Sequence, residues 1–464
     1  YLCVLQQVHI GKGVLKFNYL TKAMYSSKVS SLLKKAGAEI GDRITVKSGP
    51  EIHEGILMPR SGESGDLVIK LDSGYNVGIS SEGASISLLE KSAKKPVEKE
   101  GSQERGEIAI LGCGGTISSK VEYTTGAVYP TITPKDLFNA FPKIKDIASV
   151  HTRILFQLFS EDMSVEHWKF LADEVAGEIK EGAKGVVIMH GTDTMHYSSA
   201  ALSFALQNLP VPVVIVGAQR SSDRPSSDNE DNLLNSVLLA KSEIAQVGIC
   251  MHANSDDSFA YFHPGAKVRK MHSSRRDAFQ TINSFPYAKA DHRVMKVEPF
   301  PQTPHSKRDE KRKLDLQNHF SNNVGMLYVH PGISPKLVDK FADYDGVVIV
   351  GTGLGHTPTN PLDNKFGKSI FPNLKSLADS GIPLVMSTQT IYGRVAMDVY
   401  STGRKLQEIG VIGNGADWTP ETAYVKLCWV LGKEKKAEKV RELMMKNIVG
   451  EISPRTNYEE KFTF

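Results

Sequence analysis

The 464-residue chain is predicted to be an α/β protein: two lobes of parallel sheet covered by helices, preceded by a small all-β barrel. Three observations predict it. From residue 107 onward, apolar β-branched runs alternate with amphipathic stretches at helical spacing, as strand–helix–strand units do. Ahead of them, residues 41–90 hold short alternating runs separated by turn residues such as Asp72-Ser73-Gly74, the pattern of a small barrel. Between the two lies 91–105, rich in Lys, Glu, Ser and Pro and without a core-forming pattern, which reads as a solvated linker.

Each element follows in order. Residues 1–23 contain only a weakly apolar start, Tyr1-Leu2-Cys3-Val4-Leu5, with no small-residue cleavage site to suggest a signal peptide. Met24 is the expected start, with 1–23 an extension that carries neither fold nor function. Val29, Leu32 and Leu33 predict a helix over 28–36, closing a first segment of 1–36. The barrel, 37–90, takes strands at 42–46, 53–57, 67–71 and 75–79. At about 55 residues it is near the lower limit for independent folding. A first lobe over 106–298 has strands at 107–112, 185–190, 212–217 and 247–252. Its helices are 164–181, where Trp168, Leu171, Val175 and Ile179 recur every three or four residues, and 194–208.

Residues 299–323 break the pattern with Pro299, Pro301 and Pro304, then the basic run Lys307-Arg308-Asp309-Glu310-Lys311-Arg312-Lys313. This is an inter-lobe connection whose charges read as a solvated surface, with a tRNA or partner contact as the alternative. A second lobe over 324–432 has strands at 324–329, 346–350 and 383–387 and helices at 336–342, 373–380 and 420–432. Thr419 as N-cap and Pro420 in the first turn define the start of the last helix. Residues 433–464 form a tail. There is no internal repeat.

Composition excludes some classes. Hydrophobic residues at 40% and charged residues at 23% are ordinary for a soluble globular protein. A net charge of +4 is too small to argue nucleic-acid binding by itself. No apolar run approaches the roughly 18 residues of a membrane span. The cysteines, Cys3, Cys113, Cys250 and Cys428, form no CxxC pair, so neither a zinc site nor a disulfide framework is expected, and reduced thiols fit a cytoplasmic protein.

Two threonine motifs carry the chemistry. Gly112-Cys113-Gly114-Gly115-Thr116-Ile117 and His190-Gly191-Thr192-Asp193-Thr194 each follow an apolar strand and precede a helix-like stretch. Such turns lie at the carboxyl ends of parallel strands, where ligands bind. A threonine hydroxyl is a poor nucleophile and must lose its proton to a neighbouring base during attack. The glycines before Thr116 allow close approach of a substrate, and loop amides there can face a developing oxyanion. Thr192 adds a hydroxyl and Asp193 a carboxylate that orients a base, holds an ammonium or caps the next helix. Lys270 is a candidate base, although Lys267-Val268-Arg269-Lys270-Met271-His272 offers three other cations. Cys113 invites a thiol-nucleophile reading; a small buried residue at a strand end is the preferred one. His190 reads as a strand-end packing or hydrogen-bonding residue rather than a metal ligand, since no second ligand has helical spacing to it, and Gly351-Thr352-Gly353-Leu354-Gly355-His356 reads as a strand-end turn, since it lacks the ending of a phosphate loop.

GCGGTIS followed by HGTDT resembles the bacterial-type L-asparaginase family over residues 107–432. Val214-Ile215-Val216-Gly217-Ala218-Gln219-Arg220, Asp231-Asn232-Leu233 and Ser160-Glu161-Asp162-Met163 are similar to segments of the same family. The resemblance implies an asparaginase-like fold with Thr116 as nucleophile and with Thr192, Asp193 and Lys270 as the second catalytic group. It places Tyr123 in a loop that assists Thr116, and gives Ser160, Glu161 and Asp193 the α-carboxylate and α-ammonium of the substrate. The barrel segment, residues 268–279 and Val449-Gly450-Glu451-Ile452-Ser453 extend the likeness, over 37–455, to D subunits of archaeal-type glutamyl-tRNA(Gln) amidotransferases. Cys113, where Thr or Gly is more usual, and residues 1–23 depart from the pattern. That family implies a cytoplasmic amidase that releases ammonia from glutamine or asparagine. The ammonia passes to an E-type subunit, which activates Glu-tRNA(Gln) with ATP and Mg2+. It also implies no cofactor in this chain, a homodimer within a heterotetramer, and no membrane. The alternatives are a free cytoplasmic L-asparaginase and an RNA-binding module with a dead amidase site.

Overall fold

The computed structural model describes residues 25–58, 65–73, 75–91, 105–115, 119–122, 127–130, 140–220, 226–360 and 362–456. Thr116, Tyr123, residues 1–24 and all but the ends of the 91–105 linker lie outside the described residues. The chain divides into two compact units.

The first unit starts with helix α1 (Ser27–Ala36). Ser26 caps it by accepting the Val29 N–H, and Gly37, at φ 65°, ends it in the left-handed conformation. Strands β1 (Arg43–Ser48), β2 (Glu51–Leu57), β3 (Asp66–Lys70), β4 (Asn76–Ser80) and β5 (Ser85–Glu90) form one antiparallel sheet in the order β4-β3-β2-β1-β5. Val29, Ile44, Val46, Leu57, Leu67 and Ile69 fill its core with no exposed surface. The expected small all-β domain is thus present as a five-stranded sheet, and among the described residues β4 and β5 are the ends of its hydrogen-bonded order. Strand β5 was not anticipated, because its residues alternate only between half-buried and exposed. The hairpin of β7 (Ser119–Glu122) and β8 (Ala127–Pro130) belongs to the same unit.

The second unit holds both α/β lobes. Its larger sheet contains β6 (Ile108–Gly114), β9 (Val150–Leu158), β10 (Gly185–Met189), β12 (Val213–Val216), β13 (Val247–His252), β14 (Ala260–Pro264), β17 (Ala288–Asp291) and β18 (Lys296–Pro299). The order is β18-β17-β14-β13-β12-β10-β6-β9. From β9 to β13 the pairing is parallel, and β6, β10, β12 and β13 are buried at every residue, as strands covered on both faces must be. The expected parallel sheet stops there. Beyond β13 the strands are antiparallel, since the short 253–259 connection allows no crossover helix.

Helices α2 (Ile144–Ile147), α3 (Val165–Lys180), α4 (Met195–Ala205) and α5 (Asn229–Ala240) belong to this lobe. The expected 194–208 helix ends at Ala205, because Leu206–Gln207 (β11) pairs with Asp315–Leu316 (β19). A small hairpin, β15 (Val268–Lys270) with β16 (Phe279–Thr281), leaves the sheet.

In the second lobe β20 (Val324–Tyr328), β21 (Gly346–Gly351) and β22 (Leu384–Thr388) form a parallel sheet. Around it lie α6 (Pro335–Asp339), α7 (Phe371–Asp379), α8 (Ser401–Glu408) and α9 (Pro420–Leu431). The predicted 336–342 helix tightens to a 3-10 turn from Lys340. Helix α9 is buried along nearly its whole length and packs on α4, with the Phe204 and Trp429 rings stacked 5.6 Å apart. It thus joins the lobes through one core that runs from Leu111 to Val350 and Trp429. Residues read as tail contribute α10 (Ala437–Met445), whose Val440 and Met444 are fully buried in that core.

Arg105, read as the end of the linker, pairs with Glu178 at 2.8 Å and also meets Glu181, so it belongs to the folded unit. In the basic run, Arg308 donates to the Lys241 carbonyl and Arg312 to the Leu209 carbonyl, pinning the connection to the first lobe, while Lys307, Lys311 and Lys313 are exposed. Gly351 ends β21, and Thr352 bridges His356 through Gly353 and Gly355, both at positive φ. That is a strand-end turn.

Candidate active site

The site forms where adjacent parallel strands β6 and β10 end. Gly114 and Gly115 leave β6 with φ of 92° and 81°, the region that glycine enters without a steric penalty. A Cβ at Gly115 would lie 2.4 Å from Gly191 Cα, and one at Gly191 would lie 2.8 Å from Ser160 Cβ. The first and second motifs therefore touch backbone to backbone, and the second motif packs closely on Ser160, in the turn Ser160–Asp162 after β9. Gly217, after β12, is a further contact, since its Cβ would lie 2.7 Å from Thr192 Cγ2.

Hydrogen bonds fix the second motif. The Asp193 N–H donates to Ser160 Oγ at 3.2 Å, and Thr194 Oγ1 donates to the Ser160 carbonyl at 2.6 Å. Thr194 is the residue at the start of α4, so Asp193 does not cap that helix. Lys270 Nζ instead meets Asp193 Oδ1 at 2.8 Å and donates to Thr192 Oγ1 at 2.8 Å. Thr192 is 8% exposed and the Lys270 side chain 9%, whereas the Asp193 side chain is 68% exposed. The hydroxyl and amine are thus largely shielded, and the carboxylate opens to solvent.

The neighbouring cations are engaged elsewhere. Lys267 pairs with buried Asp417 at 2.8 Å and Arg269 with Glu421 at 3.0 Å, which leaves Lys270 as the cation of its segment that reaches the threonine motif. Glu161 is exposed beside buried Ser160. Thr116 and Tyr123 lie outside the described residues, so their side chains enter the site only through the sequence.

Buried neighbours stay uncharged. His190 donates through Nδ1 to the Gly191 carbonyl at 2.6 Å, and burial depresses its pKa to about 4. Burial likewise lowers His196 to about 4. Burial pushes the Cys113 thiol well above its usual range, which disfavours the thiolate and supports its reading as a strand-end packing residue. Among the described residues Asp231, His252 and Asp257 bring three ligand-type atoms within 4.8 Å of one another. His292 already pairs with Asp231 at 2.7 Å and Arg276 with Asp257, so both carboxylates already have side-chain partners.

Sequence reasoning missed Gly191 and Gly217 as contact points, and the acidic partners Asp417 and Glu421. It also missed Asp228, whose buried carboxylate accepts the Gln219 N–H and the Asn232 side-chain amide. The glycines were visible within the quoted motifs. The acids lie outside any motif and offered no local signal.

Residues 107–302 match the family Asparaginase, N-terminal, and residues 323–444 the Glutaminase/Asparaginase C-terminal domain. Residues 38–89 match the GatD N-terminal domain. The glutamyl-tRNA(Gln) amidotransferase D subunit of Methanobrevibacter smithii is 45% identical over 93% of this chain and 98% of that protein. The corresponding D subunit of Sulfolobus acidocaldarius is 43% identical over 94% and 96%. Among solved structures, the thermostable L-asparaginase from Thermococcus kodakarensis superposes with a TM-score of 0.66 at 29% identity, covering 75% of this chain and 99% of that one. The share of this chain that the asparaginase leaves uncovered is a quarter, whereas the D subunits extend along nearly all of it.

Proposed function

The chain belongs to the family of glutamyl-tRNA(Gln) amidotransferase D subunits, and from that premise we propose that it releases ammonia from glutamine or asparagine for transfer to Glu-tRNA(Gln). One observation carries the amidase chemistry: Lys270 Nζ lies 2.8 Å from both Thr192 Oγ1 and Asp193 Oδ1. A hydroxyl bridged to an amine is a proton-transfer unit, and a carboxylate beside the amine stabilises the ammonium formed when it takes up a proton.

Thr116 Oγ1 attacks the side-chain amide carbon and passes its proton toward the Thr192–Lys270 pair. The tetrahedral intermediate collapses, the C–N bond breaks and the nitrogen leaves with a proton as ammonia. An ester remains on Thr116. Water then hydrolyses that ester to glutamate or aspartate and restores the threonine. Asp193, open to solvent, and Glu161 hold the substrate's α-ammonium, and Ser160 its α-carboxylate. Tyr123 assists Thr116. None of these steps needs ATP or Mg2+ in this chain; both belong to the E-type subunit that activates the γ-carboxylate of Glu-tRNA(Gln). The working assembly is a cytoplasmic heterotetramer containing a homodimer of this chain. Among the described residues no helix is long and apolar enough to cross a membrane.

The free asparaginase reading shares this chemistry but gives residues 38–89 no task, and the extended likeness to D subunits favours the amidotransferase. The test is to give the chain, its E-type partner, ATP and Glu-tRNA(Gln) a donor labelled in its amide nitrogen. Label recovered in the glutaminyl group of the tRNA supports the proposal. Label recovered only as free ammonia contradicts it.

A further inference from the structure

The hairpin that carries Lys270 is tied at four points to residues 417–422, at the start of α9 in the other lobe. Thr422 Oγ1 donates to the Ala266 carbonyl at 3.0 Å. Lys267 Nζ meets Asp417 Oδ1 at 2.8 Å, with side chains only 2% and 3% exposed. Arg269 Nη2 meets Glu421 Oε1 at 3.0 Å. From the chain after β16, Asn283 Nδ2 donates to the Asp417 carbonyl at 2.8 Å. Asp417 in turn accepts the Ser453 N–H at 2.8 Å, in the segment anchored by the buried Lys426–Glu451 pair.

Packing alone does not need this arrangement. A buried ion pair is costly to desolvate, and apolar residues of similar size hold surfaces together at least as well. Glu421 is 6% exposed, and its Oε2 has no hydrogen-bond partner among the described residues. What the pair supplies is direction. Successive residues on a strand point to opposite faces, so Arg269 and Lys270 are turned away from each other on β15. Holding the Arg269 guanidinium at a fixed point, through Nη2, sets the roll of this three-residue strand, and with it the aim of Lys270.

We propose that Glu421, acting through Arg269, is a positioning residue that aims Lys270 at Thr192 Oγ1, so that the second lobe sets the geometry of the proton-transfer unit of the first. The proposal rests on the reading of Lys270 given above. Misplacement of a reacting group by about 1 Å costs on the order of 100-fold in rate.

The experiment measures steady-state amide hydrolysis by the full chain in complex with its E-type subunit and Glu-tRNA(Gln). Glu421→Gln is expected to lower kcat about 10- to 100-fold with KM changed less than about twofold. Glu421→Asp, which keeps the charge, should recover part of the loss. In a Lys270→Ala background, Glu421→Gln should cause no further loss, because the group it aims is gone. The same fold-loss in both backgrounds overturns the proposal, since a merely structural residue acts independently of Lys270. An unchanged kcat for Glu421→Gln overturns it as well. Where Glu421→Gln does not fold, Arg269→Gln replaces it, removing the cation that meets Glu421, and the same dependence on Lys270 is expected. Full activity of Lys270→Ala alone refutes the role of Lys270 itself, a separate and visible failure.

Discussion

Replacing Gly115 with alanine puts a methyl group where two backbones already meet. The new Cβ would sit 2.4 Å from both Cα and N of Gly191 and 2.9 Å from the His190 carbonyl carbon. Carbon atoms pack at about 3.5–4.0 Å, so one backbone must retreat by on the order of 1 Å, with no side-chain torsion to absorb the change. The φ of 81° adds a left-handed penalty of about 1–2 kcal/mol for alanine, and overpacking adds about 1–3 kcal/mol. Together the variant loses roughly 2–5 kcal/mol of stability. The chain leading to Thr116 also moves away from the Thr192 loop, so amide hydrolysis should fall about 100-fold even where the variant is folded. Thermal unfolding and ammonia release report the two effects. Gly177→Ala, in α3 with nothing within 4 Å of the new Cβ, is the control and should match or exceed wild-type stability. A Gly115→Ala protein that unfolds like the control and hydrolyses at the wild-type rate would refute the contact between the motifs.

Thr116→Val, near-isosteric, should lower ammonia release by several orders of magnitude while the fold survives, as roughly follows deletion of a covalent nucleophile; near-normal release removes Thr116 from that role. Lys270→Ala and Thr192→Val should each cost about as much as the double variant, because members of one unit are non-additive; fully additive losses separate them. Mild acid should weaken the fold. Burial holds His190 and His196 near 4 against 6.5 in the unfolded chain, so below about pH 6.5 the unfolded state takes up protons that the folded state refuses. Stability from these groups is full above pH 6.5 and is lost as pH falls toward 4, on the order of 3 kcal/mol per ring. A melting temperature unchanged between pH 7 and pH 5 contradicts this.

Much of the fold was legible because burial on both faces writes itself into sequence. Val186-Val187-Ile188-Met189 and Val213-Val214-Ile215-Val216 are continuous apolar runs and lie in the centre of the sheet. Strand β9, at its edge, reads Val-His-Thr-Arg-Ile-Leu-Phe-Gln-Leu and mixes buried with exposed positions, so no period stands out. Helix α5 is buried on so many sides that it shows no amphipathic stripe. Within the site, Thr192, Asp193 and Ser160 came from motifs, and the structure joins them through the Asp193 N–H and the Ser160 hydroxyl. Lys270 was singled out from Lys267 and Arg269 by the family resemblance, not by anything in the segment itself, and the structure shows the three with different partners. The three cations look alike in sequence, and their partners Asp193, Asp417 and Glu421 come from distant parts of the chain.

Free hydrolysis would waste both donor and ammonia, so this amidase is expected to work for a partner. A partner that binds the catalytically competent state of the site more tightly than other states raises the rate. Coupling is measured by steady-state ammonia release at saturating glutamine, then asparagine, from the chain alone and with the E-type subunit and Glu-tRNA(Gln). Release should be slow from the chain alone and should rise clearly when both partners are present. A high rate from the isolated chain, unchanged by either partner, would contradict coupling and favour a free asparaginase.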